Sequence, residues 1–461
     1  MVIYVKWKII SGIVCLLLAG LTVYAKDDMY IVKFNDNIET FSMTENAIPA
    51  YRNFCGVSRE ELYELIDMGV VEYYEENCEV KLFEDYDSTY DEQSQWNLPA
   101  ISIEKAWDIG CYGNDVRVAV IDSGIYEHPD LKNKVLSGYN YIDNSTDTTD
   151  NIGHGTYVSG IIAAECDDEY ITGIAHQAKI VPLKCFDVAV KTDALMIANA
   201  IYDAIDVYDC DVINMSFGMD ESLTNKTLQL SVAYAIQNGC IVVASVGNDG
   251  KAKEYYPAKY DNVIGVGSIN KRKELSQFSQ RNSTVDVVAP GEIINSVSID
   301  GFNKNSGTSF AAPHISAVAA VAKCIDREIT TQDFMRLIEI TSTEPEADKT
   351  AGYDFYYGYG ILNAGKIVDE VLKENQVFIS PVTNNTVKVY NNSDKELAAK
   401  GIVADYKETD LLNVWVRNVN LLPGEIHKVE LDPGGDLTKV MLWDSLKNLN
   451  PLHYAREYKL N

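Results

Sequence analysis

Residues 116–122 read VRVAVID, an apolar run interrupted by one arginine and closed by an aspartate. Four runs of the same kind follow: KIVPLKCF at 179–186, CDVINMSF at 210–217, CIVVASVG at 240–247 and NVIGVGSI at 262–269. Helical patterns lie between the runs, as at Thr192–Val207 and Asn225–Asn238. Continuous apolar strands that alternate with helices are typical of a parallel sheet covered on both faces. The sequence therefore predicts a doubly wound α/β domain from Ala100 to about Lys373.

Polar residues stand where several of the predicted strands end. Asp122 closes the first run, while Ser216 and Asn248 stand at the ends of the third and fourth. In doubly wound sheets, functional residues gather at the carboxyl ends of the strands. These three residues are therefore candidates for a site at one edge of the sheet.

The charge of the chain excludes one class of partner. The 461 residues carry a formal net charge of −29 at pH 7. A nucleic-acid-binding face needs clustered Lys and Arg side chains to neutralise phosphates. The acidic balance therefore argues against a nucleic-acid partner, and it is compatible with a protein that works outside the cell.

The N-terminus has the pattern of a secretory signal. Lys6 and Lys8 precede an apolar stretch at Ile9–Val23, and a small-residue cleavage pattern ends at Ala25. The stretch is short for a membrane span, which needs about 20 apolar residues. We therefore predict a signal peptide at 1–25 and a secreted mature protein without a membrane span.

Two smaller regions flank the predicted α/β domain, which then spans residues 89–373. Residues 26–88 combine strand-like MYIVKFN, helical SREELYELIDMG and strand-like VVEYYEENCEVKLF, a pattern that predicts a small α+β unit. The acidic stretch EDYDSTYDEQSQ follows, and its low apolar content predicts that it is exposed. From 376 to 461, short alternating runs separated by Asn, Gly, Pro and Asp predict an antiparallel β-sandwich.

Ser309 stands at the start of a helical pattern, in the stretch GTSFAAPHISA at 307–317. A serine in this position can cap the helix through its hydroxyl, or it can act as a nucleophile. A nucleophilic serine needs a base, and the nearest histidine is His314. Five residues along a helix turn a side chain by about 140°, so His314 is not the expected base.

A second histidine, His154, lies between two glycines in NIGHGTYVSGII at 151–162. It could be a histidine of a surface turn, and Asp122 could cap the turn that follows its strand. Alternatively, Asp122 could orient His154, which would then serve as the base for Ser309. Acid, histidine and serine in this order form one of the known arrangements of a catalytic triad.

These stretches resemble the signature blocks of subtilisin-like serine proteases, in the order of that family. The resemblance rests on VAVIDSGI, GHGTYVSGIIA and GTSFAAPHISA, and it is supported by HPDL, DVINMSFG, VVASVGNDG, YPAKYDNVIGVGSI, FSQRNSTVDVVAPG and YGYGILNA. It covers roughly residues 91–370. It implies the subtilisin-like fold and a serine endopeptidase that cleaves polypeptides without a catalytic cofactor.

The resemblance also implies a role for each residue of the site. Ser309 would attack the scissile carbonyl, His154 would act as base and then acid, and Asp122 would orient His154. Asn248, in SVGNDG, would donate a hydrogen bond to the oxyanion. The substrate would lie as an extended strand along Ser216, Phe217 and Gly218.

By the same resemblance, the S1 pocket holds the side chain of P1, the residue before the cleaved bond. Its implied walls are the segments Ser216, Phe217, Gly218 and Ser245, Val246, Gly247. Tyr255 would lie at its base, where many relatives have Gly or Ser. Tyr255 could exclude large P1 side chains or rotate away, and Glu254 could instead favour a basic P1.

The chain departs from the family pattern at two places. Tyr157 stands where most relatives have a second histidine, which predicts altered packing behind His154. A structural calcium site is implied at Asp130 of HPDL and the loop ECDDEYITG, where Asp167 could supply a ligand. Tyr170 in that loop falls where a glycine is common, and an acidic surface loop is the alternative.

The unit at 26–88 resembles the inhibitor-type prosegment of secreted relatives. It would act as an intramolecular inhibitor until self-cleavage within residues 84–94. The C-terminal region at 376–461 resembles accessory domains of secreted proteins from Gram-positive bacteria. The alternative function is a surface binding protein that has lost catalysis and works through this region. The presence of all four catalytic residues favours the enzyme over the binding protein. A lipid or ester hydrolase is a further alternative, but GTSFAA lacks the second glycine of the G-x-S-x-G turn of such enzymes.

Overall fold

The computed structural model of the chain describes residues 29–34, 54–82, 95–167, 171–188, 191–220, 222, 225–345, 352–375, 377–381, 385–407, 410–431, 436–443 and 451–459. Within these ranges, the helices and strands form a small N-terminal unit, a large central unit and a C-terminal β unit. The predicted signal peptide at 1–25 lies outside the described residues.

The N-terminal unit is a three-stranded antiparallel sheet with one helix. Its strands are β1 (Met29–Phe34), β2 (Phe54–Ser58) and β3 (Val71–Glu76). They are ordered β2-β1-β3. Helix α1 (Arg59–Asp67) begins with a capping box between Ser58 and Glu61, which satisfies two backbone N–H groups. A fourth strand, β4 (Glu79–Leu82), belongs to another sheet.

The central unit is built on a seven-stranded sheet in which every neighbouring pair is parallel. The strands of this unit are β5 (Arg117–Asp122), β6 (Tyr139–Asn140), β7 (Lys179–Lys184), β8 (Lys191–Asp193), β9 (Val212–Met215), β10 (Phe217–Asp220), β11 (Ile241–Ser245), β12 (Tyr255–Tyr256), β13 (Ile264–Ile269), β14 (Val287–Pro290), β15 (Ile294–Ser298) and β16 (Gly301–Asn305). The parallel sheet runs β14-β13-β11-β9-β5-β7-β6. The prediction of a doubly wound parallel sheet is confirmed.

Both faces of the parallel sheet are covered, because successive residues of its strands enter two different cores. In β5, Val118 and Val120 join one buried apolar cluster, while Ala119 and Ile121 join the other. The helices of this unit are α2 (Asn97–Ile101), α3 (Glu104–Asp108), α4 (His154–Ala163), α5 (Ala194–Asp206), α6 (Lys226–Gln237), α7 (Thr308–Ile325), α8 (Thr331–Thr341) and α9 (Ala364–Glu374). This double burial explains why the strands are apolar at every position rather than at alternate ones.

Helix α7 is the longest helix among the described residues, and all of its residues are buried. It is also the one described helix whose length and hydropathy would allow it to cross a membrane. Because the whole helix is enclosed by the protein, its apolar character is explained by the core. Its first turn carries Ser309.

The sequence pattern predicted one strand-like segment, VVEYYEENCEVKLF, where the structure has two strands, β3 and β4. Strand β4 pairs antiparallel with β10 on one side and with β8 on the other. Val80 and Leu82 are buried against the central unit, whereas Glu79 and Lys81 point to solvent. The alternation of apolar and charged residues allows β4 to fill a gap between two strands of the neighbouring unit.

The C-terminal unit consists of two antiparallel sheets. Its strands are β17 (Val377–Ile379), β18 (Thr386–Asn391), β19 (Leu397–Lys407), β20 (Asp410–Leu421), β21 (Ile426–Glu430), β22 (Leu437–Trp443) and β23 (Pro451–Lys459). The sheets are ordered β17-β18-β21 and β20-β19-β22-β23. Their inner faces share one apolar cluster, to which Val387 and Val389 contribute from one sheet and Val419 and Leu442 from the other. The predicted sandwich is present, and β19 and β23 are strands that the sequence pattern did not indicate.

The sandwich is also joined to the central unit. Phe378 and Tyr390 belong to the buried cluster that contains α7 and α9. The Tyr390 hydroxyl donates to the Ile109 carbonyl at 3.1 Å, and the Lys388 ammonium donates to the Asp108 carbonyl at 2.8 Å. The two units therefore share apolar packing and hydrogen bonds.

Candidate active site

Asp122 and His154 meet at the carboxyl edge of the parallel sheet, at the end of β5 and the start of α4. The distance from His154 Nδ1 to Asp122 Oδ1 is 2.8 Å, and the two side chains are 2% and 0% exposed. The backbone N–H of Ser123 donates to the same carboxylate oxygen at 2.8 Å. A buried carboxylate that accepts from an imidazole N–H fixes the tautomer and stabilises the imidazolium.

The glycines on either side of His154 make this approach sterically possible. A Cβ atom on Gly155 would lie 2.3 Å from the Gly124 carbonyl oxygen and 3.2 Å from Asp122 Oδ1. Gly153 has a φ of 100°, a backbone conformation that residues other than glycine rarely adopt. The G-H-G pattern of the sequence is therefore a requirement of the site.

Ser309 lies in the first turn of α7, where side-chain bonds tie the helix to the end of β9. Its hydroxyl donates to the Ser216 carbonyl at 3.0 Å, and the Ser216 hydroxyl donates to the Ser309 carbonyl at 2.8 Å. Asn214 Nδ2 donates to the Ser216 hydroxyl at 2.9 Å, and the Ser316 hydroxyl donates to Asn214 Oδ1 at 2.8 Å. This network holds the Ser309 hydroxyl at the same edge of the sheet as Asp122.

The two histidines near Ser309 have different surroundings. The His154 ring packs against Phe310, with centroids 5.5 Å apart. His314 is fully buried, and its two ring nitrogens bond to the Phe310 carbonyl at 2.9 Å and to Asn97 Nδ2 at 3.0 Å. Burial lowers the pKa of His314 to about 4. His314 is thus a neutral core residue, in agreement with its helical spacing from Ser309.

Asn248 is held rigidly with its amide nitrogen free to donate. Its Oδ1 accepts from the Thr308 backbone N–H at 2.9 Å and from the Thr308 hydroxyl at 2.8 Å. Its Nδ2 is buried and has no hydrogen-bond partner among the residues that the structure describes. A buried N–H without a partner is costly in a folded protein, so its presence beside Ser309 points to an acceptor that arrives with the substrate.

Two segments contact the start of α7. One segment is β10 with Ser216 before it, and Phe217 and Gly218 of this strand pair with Leu82 and Lys81 of β4. The other segment is the end of β11, formed by the buried residues Ser245, Val246 and Gly247. The Gly247 backbone N–H donates to the Thr308 hydroxyl at 3.2 Å, which joins this segment to α7.

Tyr255 contacts both of these segments. Its strand, β12, pairs with β10, with Tyr255 opposite Asp220. A Cβ atom on Gly247 would lie 2.8 Å from Tyr255 Cδ2, so the ring covers the Gly247 backbone. Glu254 is not available to a basic substrate side chain, since its carboxylate lies 2.6 Å from the Lys259 ammonium and accepts from the Ser283 hydroxyl.

Comparison with known proteins identifies the family of the chain. Residues 113–360 match the subtilase family of peptidases, Peptidase S8. The chain belongs to the subtilase family. This subtilase is a serine endopeptidase, as its sequence predicted.

Several relatives extend the match. The thermophilic serine proteinase of Bacillus sp. strain AK1 is 36% identical over 299 residues, which are 64% of this subtilase and 72% of that relative. Thermitase of Thermoactinomyces vulgaris is 35% identical over 282 residues, 60% of this chain and 97% of thermitase. Proteases from Pseudoalteromonas arctica PAMC 21717 have a solved structure that covers 60% of this chain and 97% of its own, with a TM-score of 0.56 and 27% identity.

Tyr157, for which the sequence predicted altered packing, is buried in α4, the helix that begins at His154. The Tyr157 ring packs against Phe310, with centroids 4.7 Å apart. Its hydroxyl contacts the carbonyl oxygens of Ile294 and Asn303, which share its single proton as acceptors, and it accepts from the Asn305 backbone N–H at 2.9 Å. Tyr157 thus links α4 to β15 and β16, the hairpin that precedes α7.

Three features of the site of this subtilase were not predicted: the residue Thr308, the pair Asn214 and Ser316, and the strand β4. Thr308, Asn214 and Ser316 orient the residues around Ser309, although each reads in sequence as an ordinary small polar residue. The role of Thr308 could have been inferred from its position next to Ser309, whereas the contacts of Asn214 and Ser316 depend on how α7 crosses β9. The third feature is β4, whose alternating Val80 and Leu82 were the available signal.

Proposed function

We propose that the endopeptidase works through an Asp122–His154–Ser309 triad. The observation that carries the proposal is the buried contact of 2.8 Å between His154 Nδ1 and Asp122 Oδ1, at the sheet edge that also holds Ser309. The Ser309 oxygen bonds to the scissile carbonyl carbon while its proton passes to His154. When the peptide C–N bond breaks, His154 returns this proton to the leaving amine. A water molecule then attacks the acyl carbon while His154 takes its proton, and His154 returns that proton to the Ser309 oxygen as the acyl group is released.

Two sets of donors stabilise the negative charge on the carbonyl oxygen in this proposal. One is Asn248 Nδ2, which is buried and already oriented by its bonds to Thr308. The other is the start of α7, because the first N–H groups of a helix have no partner within it and carry a partial positive charge. Both sets are in position before substrate binds, which is the condition for strong electrostatic stabilisation.

We further propose that the enzyme is made as a zymogen whose prosegment is residues 26–88. Support comes from β4, which lies in the cleft between β10 and β8 as an added antiparallel strand. A peptide substrate would bind β10 through the same backbone groups. While β4 remains there, those groups are unavailable to other polypeptides, so the prosegment inhibits the enzyme.

The rest of the prosegment supports the same role through contacts with two helices. The Glu75 carboxylate accepts from the backbone N–H groups of Lys226 at 2.7 Å and Thr227 at 2.8 Å, at the start of α6. The Cys78 carbonyl accepts from the Ala194 N–H at 3.0 Å, at the start of α5. A carboxylate at a helix N-terminus is stabilising, so Glu75 anchors the prosegment and orients β4 toward the cleft.

Self-cleavage after β4 would then give a mature chain that begins within residues 84–94. The test compares the mass and N-terminal sequence of secreted wild type with those of Ser309→Ala. We expect wild type to lose the prosegment and Ser309→Ala to keep it, because the variant lacks the nucleophile. Equal processing of both proteins would show that another protease matures the chain. If neither is cut, the self-processing proposal is wrong.

We propose a calcium ion as a structural partner, held by Asp130 and Asp167. Asp130 is 5% exposed, and its carbonyl accepts from the Glu165 N–H at 2.9 Å, which brings the loop bearing Asp167 against it. The Glu165 carboxylate lies 2.7 Å from the buried Lys134 ammonium, so its charge is already balanced. Carboxylate oxygens are the donors that calcium prefers.

Removal of calcium should lower the unfolding temperature of the protein. A ligand at 100 times its Kd stabilises by about 2.7 kcal/mol, which for a domain of nearly 300 residues corresponds to a shift of about 4–5 °C in unfolding temperature. The measurement is thermal unfolding of Ser309→Ala with calcium and with a chelator, beside Asp167→Asn and the exposed control Asp143→Asn in the same background. Calcium should stabilise the parent and the control but not Asp167→Asn. An unfolding temperature that does not respond to calcium in the parent would contradict this site.

The localisation that fits these proposals is outside the cell, with the Gram-positive type of secretion that the sequence suggests. One of the relatives is a minor extracellular protease of Bacillus subtilis strain 168, 35% identical over 289 residues. The acidic charge and the predicted signal at 1–25 agree with export. The C-terminal sandwich at 376–461 is then an accessory domain that leaves the cell with the enzyme.

A further inference from the structure

Strand β20 forms one edge of the larger sheet in the C-terminal sandwich. The sheet is ordered β20-β19-β22-β23, so β19 pairs with β20 on one side, and no other described strand pairs with its second side. From Asn413 to Leu421 the register between β20 and β19 is regular. An edge strand presents a row of unpaired backbone N–H and C=O groups to any strand that comes beside it.

The middle of this edge is apolar on both faces of the sheet. The consecutive residues Val414, Trp415 and Val416 are 48%, 39% and 45% exposed. Trp415 lies on the same face as Val419 and Leu421, which enter the sandwich core, because alternate residues of a strand share a face. Val414 and Val416 lie on the opposite face. A strand with a solvated face ordinarily places polar side chains there.

The sequence of this stretch lacks the features that usually protect an exposed edge, which are lysines, prolines or a bulge. Residues 410–416 read DLLNVWV, with a single charge at Asp410 and no proline. The irregularity in the ladder lies between Asp405 and Tyr406 of β19, before Asn413 of β20, so residues 413–417 keep a regular register. A long apolar edge of this kind is suited to pair with a strand of another chain.

The edge is self-complementary about Trp415. If two β20 strands pair antiparallel around a two-fold axis at this residue, the two Trp415 residues are opposite each other. Each Val414 is then opposite Val416 of the second copy, on the other face of the sheet. Aromatic pairs and pairs of β-branched residues are among the cross-strand pairs that stabilise sheets. A two-fold interface requires such self-complementarity, because both copies present the same surface.

The distribution of charge favours a second copy as the occupant of this edge. Residues 376–461 carry ten Lys and Arg and eleven Asp and Glu, whereas the whole chain carries 39 and 68. The acidic excess therefore lies almost entirely outside the sandwich. Two copies that meet through β20 bring nearly neutral units together rather than like-charged ones. An anionic lipid surface would instead repel the strongly acidic remainder of the chain.

We propose that the protein forms a two-fold dimer in which the β20 strands of two copies pair antiparallel about Trp415. This pairing joins the two larger sheets into one sheet of eight strands. The ladder is short, so we expect an interface at the low end of the size range for specific contacts and a dimer that dissociates on dilution. The dimer goes beyond the proposed function, because its formation does not involve the catalytic residues.

The experiment measures the mass of the Ser309→Ala protein by sedimentation from about 1 µM to about 100 µM, the range in which a weak dimer assembles. Two double variants are made in the same background. The like-charge variant combines Val414→Lys with Val416→Lys, and the opposite-charge variant combines Val414→Lys with Val416→Glu. The control is Val207→Lys, which replaces a valine that is 62% exposed at the end of α5. Thermal unfolding of each protein confirms that the fold is intact.

The parent and the control should sediment as dimers at the upper concentrations and as monomers on dilution. In the proposed register, the like-charge variant places a lysine opposite a lysine on both sides of the axis, whereas the opposite-charge variant places each lysine opposite a glutamate. Like charges directly opposite destabilise a strand pair, and opposite charges stabilise it. The Kd of the like-charge variant should therefore exceed that of the opposite-charge variant by at least about 100-fold.

Three results would overturn this inference. A parent that stays monomeric at every concentration has no such dimer. A like-charge variant that dimerises as well as the parent would show that the copies meet through another surface. An opposite-charge variant that is as weak as the like-charge one would show that the strands do not pair about Trp415. Each protein carries Ser309→Ala, so none of these results bears on the triad, which is tested by the activity of wild type.

Discussion

Asp122→Asn should lower kcat by about 10⁴, the loss that follows when the triad aspartate is replaced by asparagine in another serine protease. The reason is the loss of the negative charge of Asp122. During attack by Ser309, His154 becomes an imidazolium in a site where its side chain is 2% exposed, and Asp122 is the buried counter-charge 2.8 Å away. Asparagine can keep a hydrogen bond to the ring but cannot supply that charge. KM should change little, since Asp122 has no contact with the substrate strand in the proposed arrangement.

The variant will not mature itself at a useful rate, so its prosegment should be removed with immobilised wild-type enzyme. The measurement is kcat and KM on a P1-Ala peptide, with thermal unfolding to confirm that the fold is intact. Asp147→Asn is the matched control, because Asp147 is exposed and the hydrogen bonds recorded for its carboxylate among the described residues come from Thr149. A folded Asp122→Asn enzyme with a kcat within tenfold of wild type would falsify the triad assignment of Asp122.

Asn248→Ala should lower kcat by about 10²–10³ with little change in KM, the magnitude reported for loss of one oxyanion donor. The Nδ2 group is buried and without a partner among the described residues, so it costs free energy until the oxyanion forms. Its contribution is therefore made in the transition state rather than in substrate binding. Removal of the side chain should appear in kcat alone.

A second variant separates this donor from the structural bonds of the same residue. Asn248→Asp keeps an oxygen for the Thr308 backbone N–H and hydroxyl but loses the amide hydrogens. It should lose at least as much activity as Asn248→Ala, because a carboxylate also repels the developing oxyanion. If Asn248→Asp retained full activity, the role of Asn248 would be limited to holding Thr308 in place.

The parallel sheet and the core of the site could be predicted from sequence because their signals are local. Asp122 closes an apolar run, His154 lies between two glycines, and Ser309 begins a helical pattern, so each residue carries its own context. The glycines proved necessary for the approach of His154 to Asp122. The exclusion of His314 as the base also followed from local geometry, since helical spacing alone directs its side chain away from that of Ser309.

The parts that sequence did not predict depend on long-range pairing. The alternation of Val80 and Leu82 indicates a strand but does not separate β4 from a continuation of β3, because its partners, β10 and β8, lie more than 100 positions further along the chain. The sequence did not decide whether the Tyr255 ring stays in place or rotates away. The contacts of the ring come from Asp249 and from the Lys253–Asp220 pair, which the sequence around Tyr255 does not reveal. Likewise β19 pairs with two strands at once, and no alternation in its own residues indicates this.

The joint between the sandwich and the central unit has a consequence for how the enzyme meets its substrates. Phe378 and Tyr390 are packed into the core that holds α7, and Lys388 is bonded to the Asp108 carbonyl. An accessory domain on a flexible linker lets a catalytic domain sample every direction, but one that shares a core with it does not. If the sandwich rests on a surface, the cleft will face that surface at one fixed angle and height. Such an enzyme would select scissile bonds by their position relative to the surface as well as by their sequence.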